Sequence, residues 1–148
     1  MTGPREFPDV IDHLPTLQGR SAPFRISWAR QEESFADRRI ASVVAIATAP
    51  PVRSFHPETV SAIRPPVTLL TGGADTEAPT DQCAAWLCDL HPGSRDHDLG
   101  EDVGHYTFLD NPADRSLVGK VDILTDRPGV DRRDVHRRSA DLVLEALP

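Results

Sequence analysis

Lysine, methionine and tyrosine occur once each in these 148 residues, and cysteine only twice. Two cysteines cannot make a disulfide scaffold or, by themselves, a structural zinc site. No apolar run approaches the roughly 18 residues that a membrane span requires. The opening MTGPREFPDV holds no apolar stretch of signal-peptide type, so a cytoplasmic location is expected. Net positive charge is lacking too. A formal charge of −7 disfavours DNA or an anionic membrane surface as a partner. Internal repeats and low-complexity segments are absent.

What is present suits one globular domain: 39% hydrophobic and 26% charged residues over a length with room for one core. The fourteen prolines outnumber the nine glycines and punctuate the chain heavily. Charge is unevenly spread. Between Gly72 and Asp114 ten acids face a single base, Arg95, whereas the flanking segments are close to neutral. Most of these acids are expected on a solvated face, and a site among them would favour neutral over anionic substrates.

Val10, Ile11 and Leu14 have helical spacing, which predicts a short helix over Pro8–Leu14 that Pro15 ends. From there to about Ala36 no period is sustained, and a loop with at most one helical turn is expected. Ala41–Ala49 (ASVVAIATA) and Val67–Thr71 (VTLLT) are apolar, β-branched runs between proline or glycine stops. They read as strands buried on both faces of a parallel sheet. Thr80–Leu90 reads as a helix, Arg95–Leu99 as a polar strand near an edge, and Val130–Leu147 as the longest helix. That last helix would bury Val135, Leu142, Val143 and Ala146. Its other face would carry the pairs Asp134–Arg138 and Arg137–Asp141. Arg115–Gly129 reads as an exposed loop. Alternating strands and helices imply an α/β fold with parallel strands.

Reactive groups in such sheets collect in loops at the carboxyl ends of strands. Asp75 follows the strand Val67–Thr71 after Gly72–Gly73, and His105 follows Arg95–Leu99. Neighbouring parallel strands would bring the two loops together. A carboxylate bonded to one imidazole nitrogen fixes the tautomer, leaving the other nitrogen to take a proton from a nucleophile.

The segments DRRIASVVAIATAP, IRPPVTLLTGGADTEAP and GSRDHDLGEDVGHYTFLDNP, in this order, resemble the C-terminal half of an α/β-hydrolase. The likeness is to bacterial dienelactone-hydrolase-like esterases, which also resemble platelet-activating-factor acetylhydrolases. The tail DRPGVDRRDVHRRSADLVLEAL is similar to the closing helix of that group. PDVIDHL is similar to the helix before its nucleophile strand. The resemblance implies a truncated three-layer sandwich with a small, mostly parallel sheet. Residues 37–148 would be the C-terminal half of one partial domain, and residues 1–36 a loop-rich segment with one short helix. It also implies Asp75 as triad acid and His105 as triad base, acting on a small ester or lactone without any cofactor.

The family's G-x-S-x-G nucleophile turn is not found. Ser21, in Gly19-Arg20-Ser21-Ala22-Pro23, is the nearest candidate, with proline where glycine belongs, and Ser27 is weaker still. Weak or no activity of the chain alone is therefore expected. The alternative is a non-catalytic remnant that binds a partner or self-associates through the exposed edge of the Ala41–Ala49 strand.

His97, Asp98, Glu101, Asp102 and His105 lack metal-ligand spacing, so no metal site is expected. Cys83 and Cys88 would point about 140° apart on one helix, as small packed side chains. Trp86 and Leu87 read as helix-to-sheet packing. Tyr106 and Phe108 read as core or as lining of an acyl pocket. No role is assigned to His13, His56, His91 or His136. Arg132, Arg133, Arg137 and Arg138 read as surface partners of acids rather than a nucleic-acid patch.

Overall fold

The computed structural model describes residues 8–30, 33 and 36–148. Its centre is a three-stranded parallel sheet of β1 (Val43–Ile46), β2 (Val67–Thr71) and β3 (Ser94–Asp98), in that spatial order. Val67 of β2 pairs with Val43 on one side and Ser94 on the other. The protein is therefore of mixed α/β class. Among the described residues no helix is long and apolar enough to cross a membrane.

Alternation along β2 divides the core in two. Val67 and Leu69 pack with Val60 of α3 (Pro57–Ser61) and with Ala84 and Leu87 of α4 (Ala84–Leu90). On the opposite face Leu70 packs with Leu99, Val103 and Val135, the last from α5 (Arg132–Glu145). Leu69 and Leu70 are both wholly buried. Such burial stabilises by about 1.5–3 kcal/mol per side chain. Only a strand covered on both faces can use consecutive leucines this way.

The run Ala41–Ala49 forms a strand over only four of its residues, and it is not buried on both faces. β1 lies at the sheet edge, its first three residues partly covered and Ile46 exposed. Ala47 adopts φ +49° directly after it, which breaks the extended backbone. Periodicity reports how apolar a run is, not whether a neighbour exists to cover it. The β3 edge matches its polar sequence, with Arg95, Asp96 and Asp98 exposed.

The expected helix from Pro8 forms, but helix also occupies most of the region from Pro15 to Ala29 expected to be loop. α1 runs Pro8–Arg20, through Pro15 instead of ending there, and α2 runs Ala22–Ala29. Proline removes one helical hydrogen bond, but residues 16–20 retain theirs and the helix resumes. Ser21 caps α2, its Oγ accepting from the Phe24 N–H at 3.2 Å. Phe24 and Trp28 stack four residues apart, and α1 packs against α2. The side chains of Val10 and Ile11 lie outside the described residues.

α4 starts at Ala84, not Thr80, because residues 80–83 form an irregular turn in which the Ala85 N–H reaches the Thr80 carbonyl. On α5, Val135 is buried while Leu142, Val143 and Ala146 are partly covered. The expected i,i+4 pairs do not form. Arg137 pairs with Asp134, and Arg138 donates instead to the Leu99 carbonyl at 2.8 Å. The stretch 115–129 contains two short 3-10 turns, Arg115–Leu117 and Asp122–Leu124.

Candidate functional site

The loops after β2 and β3 meet because Gly72 and Gly73 have no side chains. A Cβ on Gly72 would lie 2.3 Å from the Val103 carbonyl oxygen, and one on Gly73 2.8 Å from Glu101 Cα. Bare backbone allows the Gly73 N–H to bond the Gly100 carbonyl and the Ala74 N–H to bond that of Val103. This seam extends the pairing of β2 and β3 past their ends and carries Asp75 to His105.

Asp75 Oδ2 lies 2.9 Å from His105 Nδ1. The Asp75 side chain is 1% exposed and that of His105 27%. Oδ1 of Asp75 accepts from the N–H groups of Glu77 (3.0 Å) and Ala78 (2.7 Å), in a turn ahead of Pro79. Both oxygens of a buried carboxylate are thus engaged, which offsets the loss of its hydration. A carboxylate can only accept, so Nδ1 donates and Nε2 is the basic nitrogen of the neutral ring. Nε2 has no hydrogen-bond partner among the described residues. The Tyr106 ring meets the imidazole edge-on at 5.2 Å. Chemically, this arrangement can hold an imidazole in one tautomer and exchange a proton at Nε2.

Behind the dyad lies a second polar network that sequence reasoning missed. His105–Phe108 is a 3-10 turn, and Thr107, 2% exposed, ties it down. Thr107 Oγ1 accepts from the Gly104 N–H and donates to Asp126 Oδ1 at 2.7 Å. His136 Nε2 meets the Thr107 carbonyl at 2.9 Å. Asp126 is gripped by Arg132 from two nitrogens, at 2.9 and 3.0 Å. The same guanidinium donates to the carbonyls of Leu109, Asp110 and Ile123. Arg132 is therefore buried, at 4% exposure, and not the surface residue that its helical spacing implied. Burial pushes the Asp126 carboxyl upward, but the bonds from Arg132 and Thr107 and the nearby Arg132 and His136 charges outweigh it and hold the group below its ordinary value. No local pattern announces this network, because Thr107, Asp126 and Arg132 meet only in the folded chain.

A cavity of about 140 Å³ lies beside His105, lined also by Thr76, Glu77, Thr125, Asp126 and Arg127. Tyr106 lines it, whereas Phe108 packs against the buried cluster of Leu70, Leu99, Val103 and Val135.

The structure brings Asp75 and His105 together and leaves Ser21 out. Ser21 serves as a helix cap, is not among the hydrogen-bond partners of His105, and Ser27 is exposed on α2. No group of three metal-ligating side chains forms among the described residues. His91 is buried between Ser94 Oγ and the Ile63 carbonyl, a structural position. Cys83 is buried, and neither Cys83 nor Cys88 forms a disulfide. Burial, with the charges of Asp96 and Asp89, pushes the Cys88 thiol up, away from nucleophilic use. No family model matches the chain, and no curated protein or solved structure matches it significantly.

Proposed function

We propose that this chain carries the acid and base of an α/β-hydrolase-type carboxylic-ester hydrolase, without its nucleophile. The observation that supports the reading is the buried Asp75 carboxylate at 2.9 Å from His105 Nδ1, with Nε2 bonded to none of the described residues. The three-layer arrangement about a parallel sheet is consistent with such a fold. In this reading a hydroxyl nucleophile gives its proton to His105 Nε2 as its oxygen attacks an ester or lactone carbonyl. The protonated imidazole then returns the proton to the leaving alcohol, while Asp75 stays ionised throughout. No G-x-S-x-G is present to supply the hydroxyl or its oxyanion hole. The expected outcome is no His105-dependent turnover of p-nitrophenyl acetate and no labelling by a fluorophosphonate. A stoichiometric adduct that disappears in His105→Ala would place a nucleophile in the chain and overturn that part of the reading. The acid–base part fails if nitrogen-15 NMR finds neutral His105 protonated on Nε2.

A second reading rests on β1, an edge strand that pairs only with β2 among the described residues and whose Ile46 is 45% exposed. An unpaired parallel edge can recruit another strand, so self-association of two copies through β1 is its consequence. Light scattering behind size-exclusion chromatography is then expected to show a dimer that grows with concentration. A compact monomer at every concentration counts against this reading.

A further inference from the structure

We infer that Thr107, acting through Asp126 and Arg132, is a positioning residue that holds the His105 turn in register with Asp75. The inference rests on the acid–base reading above and deepens it by naming what fixes the base. His105 has weak anchors of its own. It sits at the start of a four-residue 3-10 turn, whose hydrogen bonds are poorly aligned. On one side is Gly104 and on the other Tyr106, which is 36% exposed. Thr107 is the buried polar residue of this turn, and its side chain faces two ways. Toward the turn it receives the Gly104 N–H, and toward the body it reaches Asp126, 19 residues further on.

Asp126 in turn is fixed by the two-pronged contact from Arg132, which also donates to three backbone carbonyls from two other segments. Arg132 occupies the first turn of α5, where a cation opposes the helix dipole. The position therefore serves its contacts rather than the helix. A 2.9 Å bond between Asp75 and His105 tolerates displacements of only about half an ångström, so the backing of the turn decides whether that bond persists.

The test uses the full chain labelled with nitrogen-15, at neutral pH. The wild type is expected to show His105 protonated on Nδ1, with a downfield ring proton that Asp75→Asn removes. In Thr107→Val, which keeps shape but loses the hydroxyl, that proton is expected to exchange with water at least tenfold faster. The amide signals of Leu69 and Leu70 should stay in place, and Thr107→Ser should restore slow exchange. Should Thr107→Val fail to fold, Arg132→Lys, which keeps charge but loses the two-pronged contact, carries the same test and should accelerate exchange less. Wild-type exchange in the folded valine or lysine variant would overturn the inference. Absence of the downfield proton from the wild type, or its survival in Asp75→Asn, would instead overturn the acid–base reading on which the inference rests.

Discussion

Arg132→Met is expected to lower the stability of the folded chain by about 3–5 kcal/mol, the usual cost of removing one partner from a buried ion pair. The loss has two sources. Asp126, whose side chain is 16% exposed, would keep only the Thr107 hydroxyl as partner. The carbonyls of Leu109, Asp110 and Ile123 would lose a shared donor. Methionine fills much of the volume, so an effect of this size would report electrostatics and hydrogen bonding rather than a cavity. Urea unfolding followed by circular dichroism measures it, and a loss below about 1 kcal/mol would show the pair to be dispensable, as exposed pairs are. The double variant Arg132→Met with Asp126→Leu should recover part of the loss, since no unpaired charge remains.

The same pair predicts an acid limb. The folded-state pKa of Asp126 lies below the ordinary carboxylate value. Its contribution to stability is therefore complete above about pH 4 and is lost as pH falls through the lower, folded value. Melting temperature in the wild type should fall steeply below pH 4. In Asp126→Asn the fall should be shallower from a lower starting point.

Leu69→Ala carries the other large expected effect, about 2–5 kcal/mol, because it opens a cavity beneath α3 and α4 where nothing can collapse to fill it. Leu69 has no exposed surface and packs with Val60, Val67, Ala84 and Leu87. Ile46→Ala, a similar deletion from a residue 45% exposed, should cost within about 0.5 kcal/mol. Thermal melts of the two variants side by side measure the contrast. Equal losses would mean that β1 is covered in solution, as the self-association reading requires.

That contrast shows where the sequence is legible. Both Ile46 and Leu69 lie in apolar, β-branched runs, and hydropathy treats them alike. Their difference arises because β2 has a strand on each side and β1 has one. The Asp75–His105 pair, by contrast, was readable. Gly72–Gly73 after one strand and Gly104 before His105 mark loops at the same end of a parallel sheet, and parallel neighbours bring such loops together. The helical character of residues 15–29 was not readable, since Pro15 and Gly19 mask a helix that continues past them.

The apolar runs with their glycine and proline stops by themselves determined parallel strands and an α/β class. Local pattern suffices for this because strand and helix periods are properties of neighbouring residues. Only the tertiary structure decided that Arg132 is buried rather than exposed. It also decided that Thr107 and Asp126 stand behind His105, and that Ser21 caps a helix. The contacts by which Arg132 and Thr107 meet Asp126, Leu109 and His136 join residues 6 to 29 positions apart, and a side-chain hydrogen bond of that kind leaves no period in the chain that forms it.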